Sequence, residues 1–311
     1  MKPGITVILC THNPDPGRLR RTLEGLRAQT MPVSDWDFVL VDNASTSEES
    51  IKACEASWHP TGIRLVEPRL GLAWARVAGI RTAERETLVF VDDDNILDPH
   101  YLEIATDILE KTPQQVACGG RVIPEFEVAP DAWIEESQWL LAVRNFGSEA
   151  LICHSLAEGY PFFAPLGAGM VVRRSALNDW LAKEKQFVGR TGTQLLGCED
   201  CDIVVCAMAN GGSVGYFPQL SLTHLIPRHR TEPAYLARLS YQCSKEWVRF
   251  LSMHKIGTHK RIPRWTVPLR KLRAFISHRA WKSNPAWIRW RGYCGTFDGQ
   301  ASLTAEVDNA R

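Results

Sequence analysis

Residues Thr87 to Asn95 read Thr-Leu-Val-Phe-Val-Asp-Asp-Asp-Asn, an uninterrupted β-branched and aromatic run that ends on three consecutive acids, Asp92, Asp93 and Asp94. A strand apolar on both faces must be covered on both, which is the condition of a parallel strand inside a doubly wound α/β sheet. The acids then fall at the strand's carboxyl end, where open α/β sheets place their ligands. Carboxylates crowded there repel one another unless a cation joins them. Hard oxygen donors at this spacing suit Mg²⁺ or Mn²⁺ carrying a diphosphate. A helix cap explains one acid but not three, and Asp98-Pro99 already reads as the cap and first-turn proline of the next helix.

The surrounding chain alternates strand and helix signals at short intervals. Ile5–Cys10 is a strand, followed by the polar turn Thr11–Gly17 and by Leu19, Leu23 and Leu26 on one helical face. Trp36–Val41 is a second strand ending on Asp42-Asn43, Gly62–Glu67 a third, Gly71–Glu84 a helix, Thr87–Val91 a fourth strand, Asp98–Lys111 a helix and Gln115–Cys118 a further strand. This alternation predicts a mostly parallel sheet with helices on both faces. Neither the Gly-x-Gly-x-x-Gly of dinucleotide folds nor a P-loop follows the first strand.

Beyond Gly120 the alternation fades. Residues 121–165 are irregular and aromatic, the composition of loops that shape a pocket, with Trp133, Trp139, Phe146, Tyr160, Phe162 and Phe163. Leu166-Gly-Ala-Gly-Met-Val-Val-Arg173 is a glycine-rich turn feeding a strand, and Gly167 and Gly169 allow close backbone approach to a ligand or neighbour. Gly197-Cys-Glu-Asp-Cys-Asp202 opens a helix that Gly211-Gly212 closes; Ser213–Phe217 and Leu220–Ile226 read as two short strands. Nine cysteines, an odd number, argue against a disulfide framework, and Cys198 and Cys201 lack a second pair to complete a zinc site.

At this point the chain resembles glycosyltransferase family 2, whose members have the GT-A fold and usually transfer a sugar from a nucleotide donor with inversion. The resemblance covers about residues 4 to 230. Val7-Ile-Leu-Cys-Thr11-His-Asn13, with Arg18 following, is similar to the family's first strand and nucleotide loop. Val39-Leu-Val-Asp42-Asn-Ala-Ser45 is similar to its second strand, whose Asp contacts base or ribose in the family, although Ser47 stands where an acid commonly follows. Gly71–Ile80 resembles the next helix, with Arg76 turned toward the nucleotide; Phe90-Val-Asp92-Asp-Asp94 resembles the Asp-x-Asp metal motif, and Glu199-Asp200 the acidic pair that includes the catalytic base.

The resemblance implies a divalent metal, Mn²⁺ or Mg²⁺, held by Asp94 with Asp92 nearby and with His224 as a third ligand. A cation there would stabilise a departing diphosphate. An acceptor hydroxyl needs a carboxylate to take its proton, and Asp200 is the choice, with Glu199 orienting the acceptor beside Gly167 and Gly169, and Asp202 a simple first-turn helix acid. His12 is placed to stack on the base, Thr11 and Asn13 to hydrogen-bond, and Asp42 to accept from a uracil imide or ribose hydroxyl. Arg18, Gly71, Arg76 and Asp92 complete the nucleotide side. These features favour UDP, with GDP and dTDP as alternatives. The expected reaction is inverting transfer to a carbohydrate or lipid-linked acceptor, in synthesis of cell-surface polysaccharide or glycolipid.

The 311 residues, 45% hydrophobic and 23% charged, are divided as a nucleotide-sugar half (1–120), an acceptor half of the same GT-A domain (121–230) and a basic, Trp-rich helical extension (231–311). From Lys245 to Arg291 there are 13 Lys and Arg against one acid, Glu246, with Trp247, Trp265, Trp281, Trp287 and Trp290 interleaved. Leu269, Leu272, Phe275 and Ile276 recur there at helical spacing. That composition suits an anionic membrane surface, which 245–291 is expected to contact, better than nucleic acid, which is not expected as a partner. A basic helix packed on the acidic domain is the simpler alternative. No run of eighteen apolar residues is present and the opening Met-Lys-Pro-Gly is no signal peptide, so the expected location is cytoplasmic, peripheral on the inner face of the membrane. Two other functions are weighed: a membrane-docked nucleotide-binding module without catalysis, and a sugar-1-phosphate nucleotidyltransferase, whose Gly-rich opening loop Cys10-Thr-His-Asn-Pro14 lacks.

Overall fold

The computed structural model describes residues 2–191, 195, 197–257 and 260–303. Among them, nine strands form one sheet: β1 (Lys2–Thr11), β2 (Trp36–Asp42), β3 (Ile63–Val66), β4 (Arg85–Asp92), β5 (Asn95–Leu97), β6 (Gln115–Phe126), β7 (Leu151–Cys153), β8 (Val171–Arg173) and β9 (Ser213–Ile226). The α-helices are α1 (Pro16–Arg27), α2 (Glu48–Ala53), α3 (Leu72–Thr82), α4 (Tyr101–Lys111), α5 (Asn178–Ala182), α6 (Glu199–Met208), α7 (Pro233–Met253), α8 (Val267–Ser277) and α9 (Asn284–Ser302). Residues 304–311 of the predicted extension lie outside the described residues.

The strand order is β3-β2-β1-β4-β8-β6-β9-β5, with β7 also on β9. The β3-β2-β1-β4 half is parallel, and β8 runs antiparallel to both β4 and β6. Side chains along β1, β2 and β4 alternate between two cores, as a period of two requires. Ile5, Val7, Leu9, Phe38, Leu40, Val89 and Val91 enter the core under α1 and α4, while Ile8, Val39, Val41, Leu88 and Phe90 enter the core under α3 and α6. The continuous apolar runs exist because both faces are buried. Register then sets the site: Thr11 pairs with Asp42 and Cys10 with Asp92, so the polar ends of three strands line one edge.

The second half departs from the sequence expectations. Strand β6 runs on to Phe126 instead of ending at Cys118, and the two short strands expected over 213–226 are one strand, β9, paired with β6 across a register shift between Gly119 and Arg121. The Phe217-Pro-Gln-Leu220 segment resembles a break in sequence. A Cβ on Gly120 would lie 2.0 Å from Leu220 O and 2.3 Å from Phe217 O, so the bare glycine lets the bulged strand stay paired. Helix α4 begins at Tyr101 with His100 as its N-cap; Asp98 accepts the His100 backbone N–H at 3.0 Å rather than capping the helix itself. Residues 132–141 of the aromatic segment form a 3-10 helix.

The C-terminal helices pack on the domain. Tyr235, Leu236 and Leu239 of α7 and Ile288 of α9 join Ile226, Ile134 and Leu141 in one core, and Phe250 near the end of α7 packs with Phe187. Gly292, Gly295 and Gly299 put a bare stripe of α9 against α7. Three of the five tryptophans expected on a surface serve this packing: Trp247 stacks on Phe250 at 5.2 Å, Trp287 packs in the α7/α9 core, and Trp290 Nε1 donates to Lys271 O at 2.9 Å. Among the described residues no helix is long and apolar enough to cross a membrane. A Cβ on Gly295 would sit 2.1 Å from the Tyr241 carbonyl oxygen, which is backbone and cannot yield. Gly295→Ala is therefore expected to lower stability by about 1–3 kcal/mol, read by urea denaturation, despite the better helix propensity of alanine.

Candidate active site

The acids at the end of β4 and those at the start of α6 are joined by one buried cation. Arg76 on α3 is 1% exposed; its Nη2 lies 3.9 Å from Asp92 Oδ1 and its Nη1 lies 3.5 Å from Glu199 Oε1. Its guanidinium also lies 5.2 Å from the centre of the Phe90 ring. A Cβ on Gly167 would meet Arg76 Nη2 at 1.9 Å, so the glycine leaves the channel through which the arginine reaches both acids. The Gly167 backbone N–H in turn donates to Asp200 Oδ2 at 3.2 Å, and the Cys201 N–H to Asp200 Oδ1 at 2.8 Å. Asp200 remains partly exposed beside buried Glu199. Burial, with the charge of Asp200 adding to it and Arg76 opposing it, pushes the Glu199 carboxyl up to about 7.

The turn between β4 and β5 holds the other acids. Burial raises the Asp92 carboxyl, with Arg76 opposing and Asp94 adding to the effect. Asp93 accepts the Thr11 hydroxyl; burial and repulsion by Asp94 push it up to about 7. Asp94 is buried, and although burial alone would raise its carboxyl, His224 and Arg230 hold it well below the usual range. Asp94 Oδ2 lies 2.8 Å from Arg230 Nη1 and 3.5 Å from His224 Nε2. The backbone enforces this meeting: Asn95 pairs with His224 across β5 and β9, and the Leu225 N–H donates to Asp94 O at 2.8 Å.

His224 Nδ1 lies 3.0 Å from Leu141 O, a contact that fixes the ring with Nε2 toward Asp94. One carboxylate and one imidazole nitrogen, with Asp92 and Asp93 in the same turn, are donors that fit Mn²⁺ or Mg²⁺. Among the described residues no three His, Cys, Asp or Glu side chains are gathered to hold an ion alone. A metal here would need oxygens from a ligand or from water to complete its shell.

On the nucleotide side the side chains expected to meet a ligand are already engaged within the chain. Asn13, at φ +47°, accepts the backbone N–H groups of Thr46 at 2.8 Å and Ser47 at 3.0 Å, so its side chain clamps the neighbouring loop. His12 Nδ1 lies 2.7 Å from Asn43 O, which fixes the ring. Asp42 is buried and accepts from Ser45 N at 3.0 Å and Arg64 Nη2 at 3.3 Å. Arg18 lies 3.8 Å from its own helix cap, Asp15. Gly71, at φ +137°, starts α3 and donates its N–H to Asn43 Oδ1 at 2.8 Å. Gly169 is core: it accepts the Tyr101 hydroxyl, and a Cβ there would lie 2.5 Å from Leu222 Cδ2.

Several residues escaped sequence reasoning. Asn43 ties the loops after β1, β2 and β3 together, donating through Nδ2 to Glu67 O at 3.0 Å and Arg69 O at 2.7 Å. Arg230 is the cation on Asp94; its signal was the basic cluster Arg228-His-Arg230 directly after the strand that carries His224. Exposed Arg190 opposes the rise of the Asp92 carboxyl and adds to the lowering of Asp94, although nothing in its sequence context marks it. Asp202 is no simple helix acid, because it accepts from Trp180 Nε1 at 2.9 Å and pairs with His254 Nε2 at 2.8 Å, tying α6 to α5 and to the end of α7.

Strand-end acids, a buried arginine and a helix-start carboxylate thus meet on a mixed α/β sheet. The family described as Glycosyl transferase family 2 matches residues 6–180, more than half of the chain, and the chain belongs to that family. The glucosyl-dolichyl phosphate glucuronosyltransferase of Haloferax volcanii is 24% identical over 242 residues, which span 76% of this chain and 74% of that protein. The mannosyltransferase PcManGT from Pyrobaculum calidifontis, solved in complex with GDP-Man and Mn²⁺, superposes with a TM-score of 0.58 at 19% identity, covering 99% of this chain and 78% of that one. Residues 1–349 of S. aureus TarS superpose with a TM-score of 0.53 at 12% identity, covering 96% and 90%. The fold is GT-A. Family membership sets aside the nucleotidyltransferase alternative.

A carboxyl with a raised pKa in the folded chain favours the fold while protonated. Glu199 therefore contributes stability at acid pH that is lost as pH rises from its ordinary 4.5 through about 7. Glu199→Gln is expected to flatten that part of the stability profile, measured by chemical denaturation on either side of the interval. Arg76→Met leaves two acids without their buried partner and is expected to destabilise by about 3–5 kcal/mol in the same assay.

Proposed function

We propose that this chain moves a sugar from a nucleoside-diphosphate donor, UDP being favoured, to an acceptor hydroxyl with inversion. The observation that supports this most is the placement of Asp200. It is partly open, held by two backbone N–H groups, and separated by the Glu199–Arg76–Asp92 bridge from the acids of the β4 turn. Base and leaving-group sites on separate elements suit a single displacement. A double displacement would need a nucleophilic carboxylate close to the sugar's other face.

In this reading Asp200 takes the acceptor proton and Glu199 orients the acceptor beside Gly167. Asp94 and His224, with Asp92, hold the divalent metal, Mn²⁺ or Mg²⁺. When bound, the metal supplies Lewis-acid stabilisation to the departing diphosphate. Arg230 and Arg190 add positive charge on that side. Thr11, His12, Asn13, Arg18, Asp42, Gly71 and Arg76 form or brace the nucleotide pocket, Asn13 and Asp42 mainly through the loop they hold. Residues 1–120 serve the donor, 121–230 the acceptor, and 231–311 form the extension.

The acceptor is carbohydrate or lipid-linked, in cell-surface polysaccharide or glycolipid synthesis, and the protein works at the cytoplasmic face of an anionic membrane. The relative named for glucosyl-dolichyl phosphate supports a lipid-linked acceptor, and the neighbour solved with GDP-Man and Mn²⁺ supports a metal and makes GDP the second donor class.

The purified protein is expected to be thermally stabilised by one nucleoside diphosphate among UDP, GDP and dTDP, and only with Mn²⁺ or Mg²⁺ present. Absence of any response moves the reading to a binding module without catalysis. Asp200→Asn should lower transfer by about 10²–10⁴-fold while leaving nucleotide stabilisation intact. Undiminished transfer would remove Asp200 from its role.

A further inference from the structure

Helix α8 is amphipathic the wrong way round for a packed helix. Leu269, Leu272 and Ile276 recur at spacings of three and four, which puts them on one face, and with Trp265 in the 3-10 turn just before the helix they are 67%, 56%, 57% and 81% exposed. Trp281, just beyond the helix, is 58% exposed. The opposite face is fully engaged. Val267 and Ala274 are buried, Phe275 meets Trp281 at 5.5 Å and Trp290 at 5.1 Å, and Lys271 pairs with Asp298 at 2.8 Å. The outward stripe is therefore not a helix waiting to fold onto its own domain.

What surrounds the stripe identifies its occupant. Arg261, Arg264, Arg270, Arg273, Arg279 and Lys282 are all exposed about it, and no Asp or Glu occurs between Glu246 and Asp298. A second copy of the chain meeting this face symmetrically would bring arginine against arginine with no acid to offset the repulsion. Aliphatic Leu and Ile offer nothing for bases to stack on, which disfavours single-stranded nucleic acid. An apolar stripe with tryptophan at its ends and a cationic border matches a bilayer interface with anionic headgroups.

We infer that the face formed by Leu269, Leu272 and Ile276 of α8, with Trp265 of the turn before it, docks on an anionic lipid surface, its stripe entering the acyl boundary and its arginines meeting the headgroups. The inference rests on the reading of the chain as a transferase acting at a membrane, and narrows the contact from the whole 245–291 stretch to one helix face. Helices α7 and α9 hold that face rigidly to the domain, so docking orients the catalytic edge relative to the lipid.

The test is flotation of the full-length protein with phosphatidylcholine vesicles, with and without phosphatidylglycerol. Wild type should partition onto the anionic vesicles and lose partition as salt is raised. The variant Leu269→Ser/Leu272→Ser/Ile276→Ser, at exposed positions that leave the fold intact by circular dichroism, should partition at least about tenfold less. Arg270→Ser/Arg273→Ser should lose the anionic preference by a comparable factor. Wild-type indifference to anionic vesicles, or equal partition by the triple variant, overturns the inference. So does a wild-type dimer that the triple variant converts to monomer without change in vesicle binding. Nucleotide-dependent thermal stabilisation, read on the same samples, reports on the transferase reading separately, and the stripe variant should retain it.

Discussion

The site depends on one buried guanidinium. Arg76 comes from α3, Asp92 from the end of β4, Glu199 from the first turn of α6, and Gly167 from the turn that feeds β8. Removing an arginine from water is expensive unless its charge is matched at close range, and here two carboxylates from distant sequence positions match it. The reverse also holds for buried Glu199, whose carboxyl would be driven further toward its protonated form without the cation. Each group thus makes the others tolerable. The result is that the two acidic motifs, more than a hundred residues apart, are held in one spatial relation by electrostatics rather than by apolar packing alone.

That relation explains which parts of the site were legible in sequence. Asp92, Asp93 and Asp94 announced themselves because a continuous apolar strand can end in acids only at a sheet edge, and strand position is a local property. Asp200 was legible from its helix start beside Glu199. The tasks of Arg76 and Gly167 were not, since they exist only once α3 and the turn before β8 face each other across the sheet. Gly169 looked like Gly167 in sequence, yet one makes room for a cation and the other for the Tyr101 hydroxyl and Leu222. The same limit applies to Asn13 and Asp42, whose polar atoms were read as free for a ligand and are spent partly on the loop 43–47. In the fold, the parallel half was legible from its alternation. Strand β9 was misread as two, because the glycine that rescues its pairing lies a hundred residues upstream in β6.

The extension shows how composition mixes two signals. Counted as a stretch, 245–291 is basic and rich in tryptophan, and both membrane contact and packing on the domain account for that. The structure divides the stretch by element. Trp247, Trp287 and Trp290 are packing residues, and the glycines of α9 bring it close to α7, so these two helices belong to the domain's own core. Among the described residues of this stretch the exposed large apolar side chains lie on α8 and its flanks, apart from Met253 at the end of α7. A surface this apolar persists in a stable chain when something else removes it from water part of the time.

The β4 turn has a related logic. Asp94 and His224 are brought together by strand pairing and not by attraction, so their approach does not depend on a ligand. Such a pair would lower the cost of receiving a cation, because the donors need no rearrangement. Arg230 lies against Asp94 Oδ2 and within 3.3 Å of His224 Nε2, matching the Asp94 charge from the chain itself. The chain thereby keeps Asp94 paired within its own fold.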